Sequence, residues 1–292
     1  MEIQQKNEVI GNACMKRQVE GGTSRDETYV DPKSSLPHSG FEADRIICHS
    51  SENMCEIPDT SVHLVVTSPP YNVGKEYETG QSFEEWLRLI EKVFLEVRRV
   101  LTAGGRICIN IGATGRNPYR PLYFYVMKLI YDIGFSMMRG EIIWHKSTGC
   151  NIGTAWGSWL SASNPVLRDN HEHILVFSKD RMKRDRTGRD TITRDESLEY
   201  TKSVWTFPGE SSGRVAHPTP FPIELPLRLI KLLSFEGDIG LDPFCGSGTS
   251  CVAAVLTGRR YIGYDIIPEY CELARQRISQ AERSLQAIKV AG

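Results

Sequence analysis

Beyond residue 40, short apolar runs alternate with longer stretches whose apolar residues recur at helical spacing. Val62-His63-Leu64-Val65-Val66 is an almost unbroken apolar run that stops at Thr67-Ser68-Pro69-Pro70. Such a run predicts a buried strand, ended by prolines that cannot donate to a ladder. Ser82 with Glu85 three residues on is a capping box, so a helix is expected to start there. Phe83, Trp86, Leu87, Ile90, Val93, Phe94 and Val97 form its apolar face, and Gly104-Gly105 are expected to halt it. The pattern then predicts a strand over 107–111, a helix over 122–131, and two paired strands over 141–145 and 173–177. A helix over 223–233 leads into a strand over 239–242. A glycine-rich turn opens a helix over 250–256, and a strand over 261–264 and a helix over 269–285 follow. This alternation predicts an α/β chain with a mostly parallel sheet and helices on both faces.

Two stretches fall outside the alternation. Residues 1–40 are polar and mixed, and read as a flexible arm. Between Lys146 and Ala216 the rhythm breaks: residues 146–170 are rich in Gly, Ser, Asn and Trp, while 179–194 are dense in charge. Long interruptions of this kind in a compact domain are usually functional or disordered. Composition changes the picture little, since 40% hydrophobic and 24% charged residues are ordinary for a globular chain of 292 residues. No apolar run approaches the roughly 18 residues of a membrane span, and no signal-like segment opens the chain, so a cytoplasmic protein is expected. The net charge of −1 gives no whole-molecule attraction to a polyanion, so any nucleic-acid binding must come from a local basic surface.

The eight cysteines (Cys14, Cys48, Cys55, Cys108, Cys150, Cys245, Cys251 and Cys271) are scattered without a CxxC pair. Reduced thiols are expected rather than disulfides or a zinc site. His171-Glu172-His173 suggests a metal at first sight, but in a strand the two histidines share a face and no third ligand is near in sequence. No metal is expected.

Two motifs carry chemistry. In Asp242-Pro243-Phe244-Cys245-Gly246-Ser247-Gly248-Thr249 a strand runs into a glycine turn at a helix start, where backbone N–H groups can approach a ligand. The next strand ends on Asp265, placed where an acid can accept a ribose diol. The turn lacks both the third glycine of a dinucleotide site and the lysine of a phosphate loop. An adenosyl ligand without phosphates fits it better than NAD or ATP. In Ser68-Pro69-Pro70-Tyr71 two prolines remove two backbone donors and stiffen the chain. The Ser68 hydroxyl and the Pro69 carbonyl are acceptors for an amino group, and Tyr71 offers a ring to stack on a planar heterocycle. Each motif alone is more often a structural turn; together they are specific.

On these residues the chain resembles the amino-methyltransferases of DNA, whose motifs are (Asp/Asn/Ser)-Pro-Pro-(Tyr/Phe) and Asp-Pro-Phe-x-Gly-x-Gly-Thr. Because the catalytic motif precedes the cofactor motif, it looks like the beta class. The resemblance runs from about Ile46 to Leu285 and is interrupted across 146–216. It implies a Rossmann-like methyltransferase fold with a mostly parallel seven-stranded sheet and a small target-recognition insertion. The implied divisions are an arm over 1–40, a catalytic half over 41–178 with a DNA-facing loop at 146–170, a target-recognition region over 179–216, and a cofactor half over 217–292. It implies S-adenosyl-L-methionine as cofactor, held by His217, Thr219, Phe221, Asp242, Phe244, Gly246, Ser247, Gly248, Thr249 and Asp265. Ser68, Pro69, Pro70 and Tyr71 become the catalytic residues, and Lys183, Arg184, Arg186 and Arg189 the candidate DNA contacts. Double-stranded DNA is the implied partner, with room for a cognate restriction endonuclease and a homodimer.

The implied reaction is direct methyl transfer to the exocyclic amine of a flipped base. A leading serine usually goes with cytosine N4 in this family and a leading aspartate with adenine N6, so cytosine is expected and adenine is the alternative. An RNA or protein-glutamine methyltransferase would place the cofactor motif first. A catalytically silent DNA-binding relative is the remaining alternative. The family's Gly-Asp pair ahead of the catalytic strand is His49-Ser50 here, a departure that bears on cofactor affinity. His171-Glu172 through Phe177 and Lys179 is similar to the family segment His-Glu-x-Ile-x-x-Phe-x-Lys.

Overall fold

The computed structural model describes residues 41–71, 82–114, 118–146, 157–158, 160–167, 169–185, 187–209 and 221–291, the side chains of 288–291 excepted. Eight strands are present among them: β1 (Arg45–Cys48), β2 (Val62–Thr67), β3 (Leu101–Ile111), β4 (Met137–His145), β5 (His171–Ser178), β6 (Val204–Thr206), β7 (Ile239–Asp242) and β8 (Arg260–Asp265). The helices are α1 (Phe83–Val100), α2 (Leu122–Asp132), α3 (Arg194–Tyr200), α4 (Glu224–Leu233), α5 (Thr249–Leu256) and α6 (Pro268–Ala291).

The strands form one sheet in the order β1-β8-β7-β2-β3-β5-β4-β6. All neighbours are parallel except β5, which runs against both β3 and β4. The six strands read from the pattern, and the seven of the implied fold, become eight among the described residues, because β6 and the short β1 extend the two edges. Every residue of β2 is buried, as a central parallel strand covered on both faces requires. One core holds α1 and α2 against Val65, Ile107 and Ile109; the other holds α4, α5 and α6 against Leu64, Val66 and Cys108.

The capping box of α1 forms as expected: Ser82 Oγ accepts from Glu85 N at 3.2 Å and Glu85 Oε2 accepts from Ser82 N at 2.8 Å. Its end differs from expectation. The helix stops at Val100, ahead of the glycine pair, because Leu101 turns extended (φ −66, ψ 138) and pairs with Val62. Gly104-Gly105 therefore sit inside β3. Gly104 needs its positive φ of 73, and a Cβ there would lie 2.5 Å from the carbonyl oxygen of Lys183.

From β2 the chain crosses to β3 on one side, and from β7 to β8 on the other. The point where strand order reverses lies between β2 and β7, and in open α/β sheets ligands bind at the carboxyl ends of such a pair.

Candidate active site

Both motifs sit at that point. Ser68 to Tyr71 leave the end of β2 and Asp242 to Gly248 leave the end of β7, while Asp265 ends β8 one strand further. The two strand ends are tied by side chains: Thr67 Oγ1 donates to Asp242 Oδ1 at 2.7 Å. Ser250 Oγ donates to Asp242 Oδ2 at 2.6 Å, and Phe244 N donates to Oδ1 at 3.1 Å. Burial of Asp242 outweighs these donors and pushes its carboxyl up to about 6. With its oxygens so engaged, Asp242 holds the turn in shape.

Asp265 is partly exposed. Its Oδ2 accepts Gly246 N and its Oδ1 accepts Ile267 N, both at 2.9 Å. Desolvation raises its pKa above the ordinary carboxylate range. Each oxygen retains a lone pair beyond these bonds, so the carboxylate can still accept a diol. Gly246 and Gly248 have φ of 49 and 77, and a Cβ on Gly248 would meet Ala274 Cβ of α6 at 2.7 Å. Ser247 and Thr249 are buried, and Arg277 Nη1 donates to both hydroxyl oxygens at 2.7 and 3.1 Å. Those two hydroxyls brace the turn against α6. Phe244 is partly buried, and Phe221 packs on the second core. His217 and Thr219 lie outside the described residues.

An adenosylmethionine carries a diol, a flat purine and a positive sulfonium. Asp265 with spare acceptor capacity, the partly exposed Phe244 ring and a glycine turn without a lysine fit that group. Ser50, at the position of the family's acid, donates to Glu52 Oε2 at 3.1 Å. It is the buried Ser51 whose Oγ reaches the cofactor turn, donating to Pro243 O at 2.8 Å.

In the catalytic motif, Trp86 Nε1 donates to Pro70 O at 2.8 Å, so a residue expected only as core also fixes the proline turn. Tyr71 is partly exposed, and its hydroxyl is hydrogen-bonded with Ser68, Glu172 and the backbone of Gly112. Burial and the Glu172 carboxylate push the phenol well above its ordinary pKa, which keeps it protonated. Glu172 in turn accepts from Asn110 Nδ2 at 2.6 Å and from Lys146 Nζ at 2.5 Å. Neither Glu172 nor Asn110 nor Lys146 was reached as a site residue from sequence. His173 points to the other face, stacked on Tyr123 at 3.8 Å between centroids and bonded to Glu141.

The basic run is a correction. At roughly 3.3 Å per residue, the Gly104 end of β3 lies roughly 20 Å from its Ile111 end, where the active site is. Lys179 and Lys183 pack at the Gly104 end, with Lys179 Nζ donating to Leu101 O at 2.7 Å. Arg184 is buried and forms a two-pronged ion pair with Asp238, Nη2 to Oδ1 at 2.9 Å. It cannot reach a phosphate. Arg189 is exposed and paired with Glu236, also at the foot of the sheet. Lys183, Arg184 and Arg189 therefore do not line the catalytic edge, and Arg186 lies outside the described residues. Part of the expected recognition region, β6, instead extends the sheet beside β4, with α3 just ahead of it in the chain. Trp205 is fully buried there, and Trp156 and Trp159 lie outside the described residues.

Cys48, Cys55, Cys108, Cys245, Cys251 and Cys271 are free thiols, and among the described residues no cluster suits a metal ion. No described helix is long and apolar enough to cross a membrane.

The sequence model of the DNA methylase family, the N6 and N4 amino-methyltransferases, matches residues 62–276. The Type II methyltransferase M.MthZI of Methanothermobacter thermautotrophicus is 32% identical over 274 residues, covering 81% of this chain and 76% of its own. The DNA adenine methyltransferase YhdJ of Escherichia coli K12 is 29% identical over 255 residues, covering 77% and 79%. A putative DNA modification methylase of Thermus thermophilus, solved with S-adenosyl-L-methionine, superposes with a TM-score of 0.64 at 30% identity, over 82% of this chain and 95% of its own. With the proline motif and the glycine turn facing each other across the switch point, the chain belongs to the S-adenosylmethionine-dependent DNA methyltransferases of the N6/N4 amino-methyltransferase family.

Proposed function

We propose that the chain methylates the N4 amine of cytosine in double-stranded DNA, on a base flipped out of the helix. The observation that carries this is Ser68 at the head of the proline motif, beside Tyr71 and facing the cofactor turn across β2 and β7. A base in a duplex cannot reach the end of a strand, so it must leave the stack, at about a few kcal/mol. Tyr71 offsets part of that cost by stacking on the flipped ring.

The exocyclic amine is a poor nucleophile because its lone pair is delocalised into the heterocycle. Ser68 Oγ and the Pro69 carbonyl accept its two N–H bonds, which favours a pyramidal nitrogen with its lone pair directed at the cofactor side. S-adenosylmethionine, when bound, supplies the electrophilic methyl group. Asp265, Phe244, Phe221, His217 and Thr219 hold that cofactor, while Asp242, Ser247 and Thr249 keep the turn rigid. Alignment then supplies much of the acceleration. Ser68 is too weak a base to remove a proton beforehand, so the amine proton leaves with or after transfer. A cognate restriction endonuclease and a homodimer are compatible with this reading, and a cytoplasmic location suits its substrate.

Adenine N6 is the second reading, favoured by the likeness to YhdJ. The roles of the residues would be unchanged. Tyr71→Ala tests those roles. Losing about 1–3 kcal/mol of stacking should slow turnover roughly 10- to 100-fold. S-adenosylmethionine affinity by calorimetry should stay within about two-fold of wild type. Equal losses in both would refute the stacking role.

A further inference from the structure

The catalytic motif explains how an amine is received, but not what fixes the direction of the Ser68 hydroxyl. A hydroxyl can donate or accept, and only an accepting Ser68 serves the substrate. What lies behind it decides.

Glu172 lies on β5 opposite Trp144, and alternation puts it on the face of Ile174 and Val176, away from His171 and His173. That is also the face of Leu64 and Val66 on β2, which Ser68 continues. The Glu172 side chain is only 13% exposed, and a carboxylate so placed needs donors. Two are in place, Lys146 Nζ at 2.5 Å and Asn110 Nδ2 at 2.6 Å. Giving its NH₂ to Glu172 leaves the other end of the Asn110 amide, Oδ1, buried without a partner among the described residues. An unpaired buried acceptor costs about 1–3 kcal/mol, so holding Glu172 this way is not explained by stability. Gly112 sits where Tyr71 and Glu172 meet: a Cβ there would stand 3.3 Å from Tyr71 Cε2 and 3.4 Å from Glu172 Cγ.

Direction follows from chemistry. The Glu172 oxygens already take Asn110 Nδ2 and Lys146 Nζ as donors, and the hydrogen bond with Glu172 pushes the Tyr71 phenol up, so the Tyr71 hydroxyl donates to Glu172. The phenol oxygen, its hydrogen committed, can then only accept, and it receives the Ser68 hydroxyl beside the Gly112 backbone N–H. With its own hydrogen committed, Ser68 presents lone pairs alone to the substrate amine.

We propose that Glu172, pinned by Lys146 and Asn110, is a positioning residue that sets the direction of the hydrogen-bond chain through Tyr71 to Ser68 and so makes Ser68 an acceptor for the amine. This rests on the reading of Ser68 and Tyr71 given above, and goes beyond it by naming what orients them.

The test uses the full chain, unmethylated amplified genomic DNA and S-adenosylmethionine. Glu172→Gln keeps volume but offers an NH₂ that can reverse the chain. It should lower kcat about 10- to 100-fold while both KM values stay within about two-fold. Tyr71→Phe keeps the ring, removes the relayed hydroxyl and should fall in the same range. Because the residues act as one chain, the double variant should be no slower than the slower single one. A Glu172→Gln enzyme with wild-type kcat, or losses that multiply in the double variant, overturns the inference. Ser68→Ala separates the layers. If Ser68→Ala is inactive while Glu172→Gln is active, only this inference fails. If Ser68→Ala turns over normally, the amine-acceptor reading falls and takes the inference with it.

Discussion

Gly248 and Gly237 offer a controlled comparison, because they share a backbone conformation and differ in space. Their φ values are 77 and 75, so a side chain at either meets the same left-handed strain. That strain is about 1–2 kcal/mol, offset by about 0.4–1 kcal/mol from the less flexible unfolded chain. Gly237→Ala has nothing within 4 Å of the new methyl and should cost about 1 kcal/mol or less. Gly248→Ala drives its methyl to 2.7 Å from Ala274 Cβ and 3.1 Å from Ala274 Cα, and the backbone atom cannot swing aside. Overpacking of that kind adds about 1–3 kcal/mol, for a total of about 2–4 kcal/mol. At roughly 2–3 °C per kcal/mol, thermal unfolding should place Gly248→Ala several degrees below Gly237→Ala. Because Gly246 N–H is bonded to Asp265 in the same turn, Gly248→Ala should also weaken S-adenosylmethionine binding, while Gly237→Ala should not. Equal unfolding shifts in the two variants would refute the claim that α6 is packed hard against the turn.

Other outcomes follow from the same geometry. Asp242 has its pKa raised from 3.8 to about 6 by burial, so the folded state binds the extra proton between those values. Its contribution is present below the unfolded pKa and is lost as pH rises through about 6, a cost of roughly 3 kcal/mol by neutral pH. Chemical denaturation should show the stability of Asp242→Asn gaining on wild type between about pH 4 and 7, and parallel pH curves would count against it. Arg184→Ala strips the buried Asp238 carboxylate of its two-pronged guanidinium partner, leaving Phe235 N–H and the His63 ring beside it, and should destabilise by about 3–5 kcal/mol. The salt dependence of DNA binding by the folded fraction should be unchanged; a shallower salt slope would restore Arg184 as a phosphate contact.

Much of this architecture is written locally in the chain. The capping box at Ser82 and Glu85, the apolar run of β2 and the two motifs are short-range signals, and each lands where the pattern puts it. The end of α1 does not, because the glycine pair looks like a stop while the helix is ended by Leu101 pairing with Val62, a contact between distant segments. The basic run misled for the same reason. Charge density in sequence says nothing of a buried partner, and Arg184 finds Asp238 far along the chain. Glu172, Asn110 and Lys146 come from three stretches of chain that meet only in the folded sheet. Only Glu172 left a sequence signal, in the His-Glu-His run and its likeness to a family segment, where the histidines drew attention that the acid between them merited.

The most direct measurement is mass spectrometry of nucleosides from DNA incubated with the purified chain and S-adenosylmethionine. The account predicts N4-methylcytosine, absent when Ser68 is replaced by alanine. N6-methyladenine would keep the chemistry and overturn the base assignment, and no methylated base from a protein that binds S-adenosylmethionine would contradict the central claim.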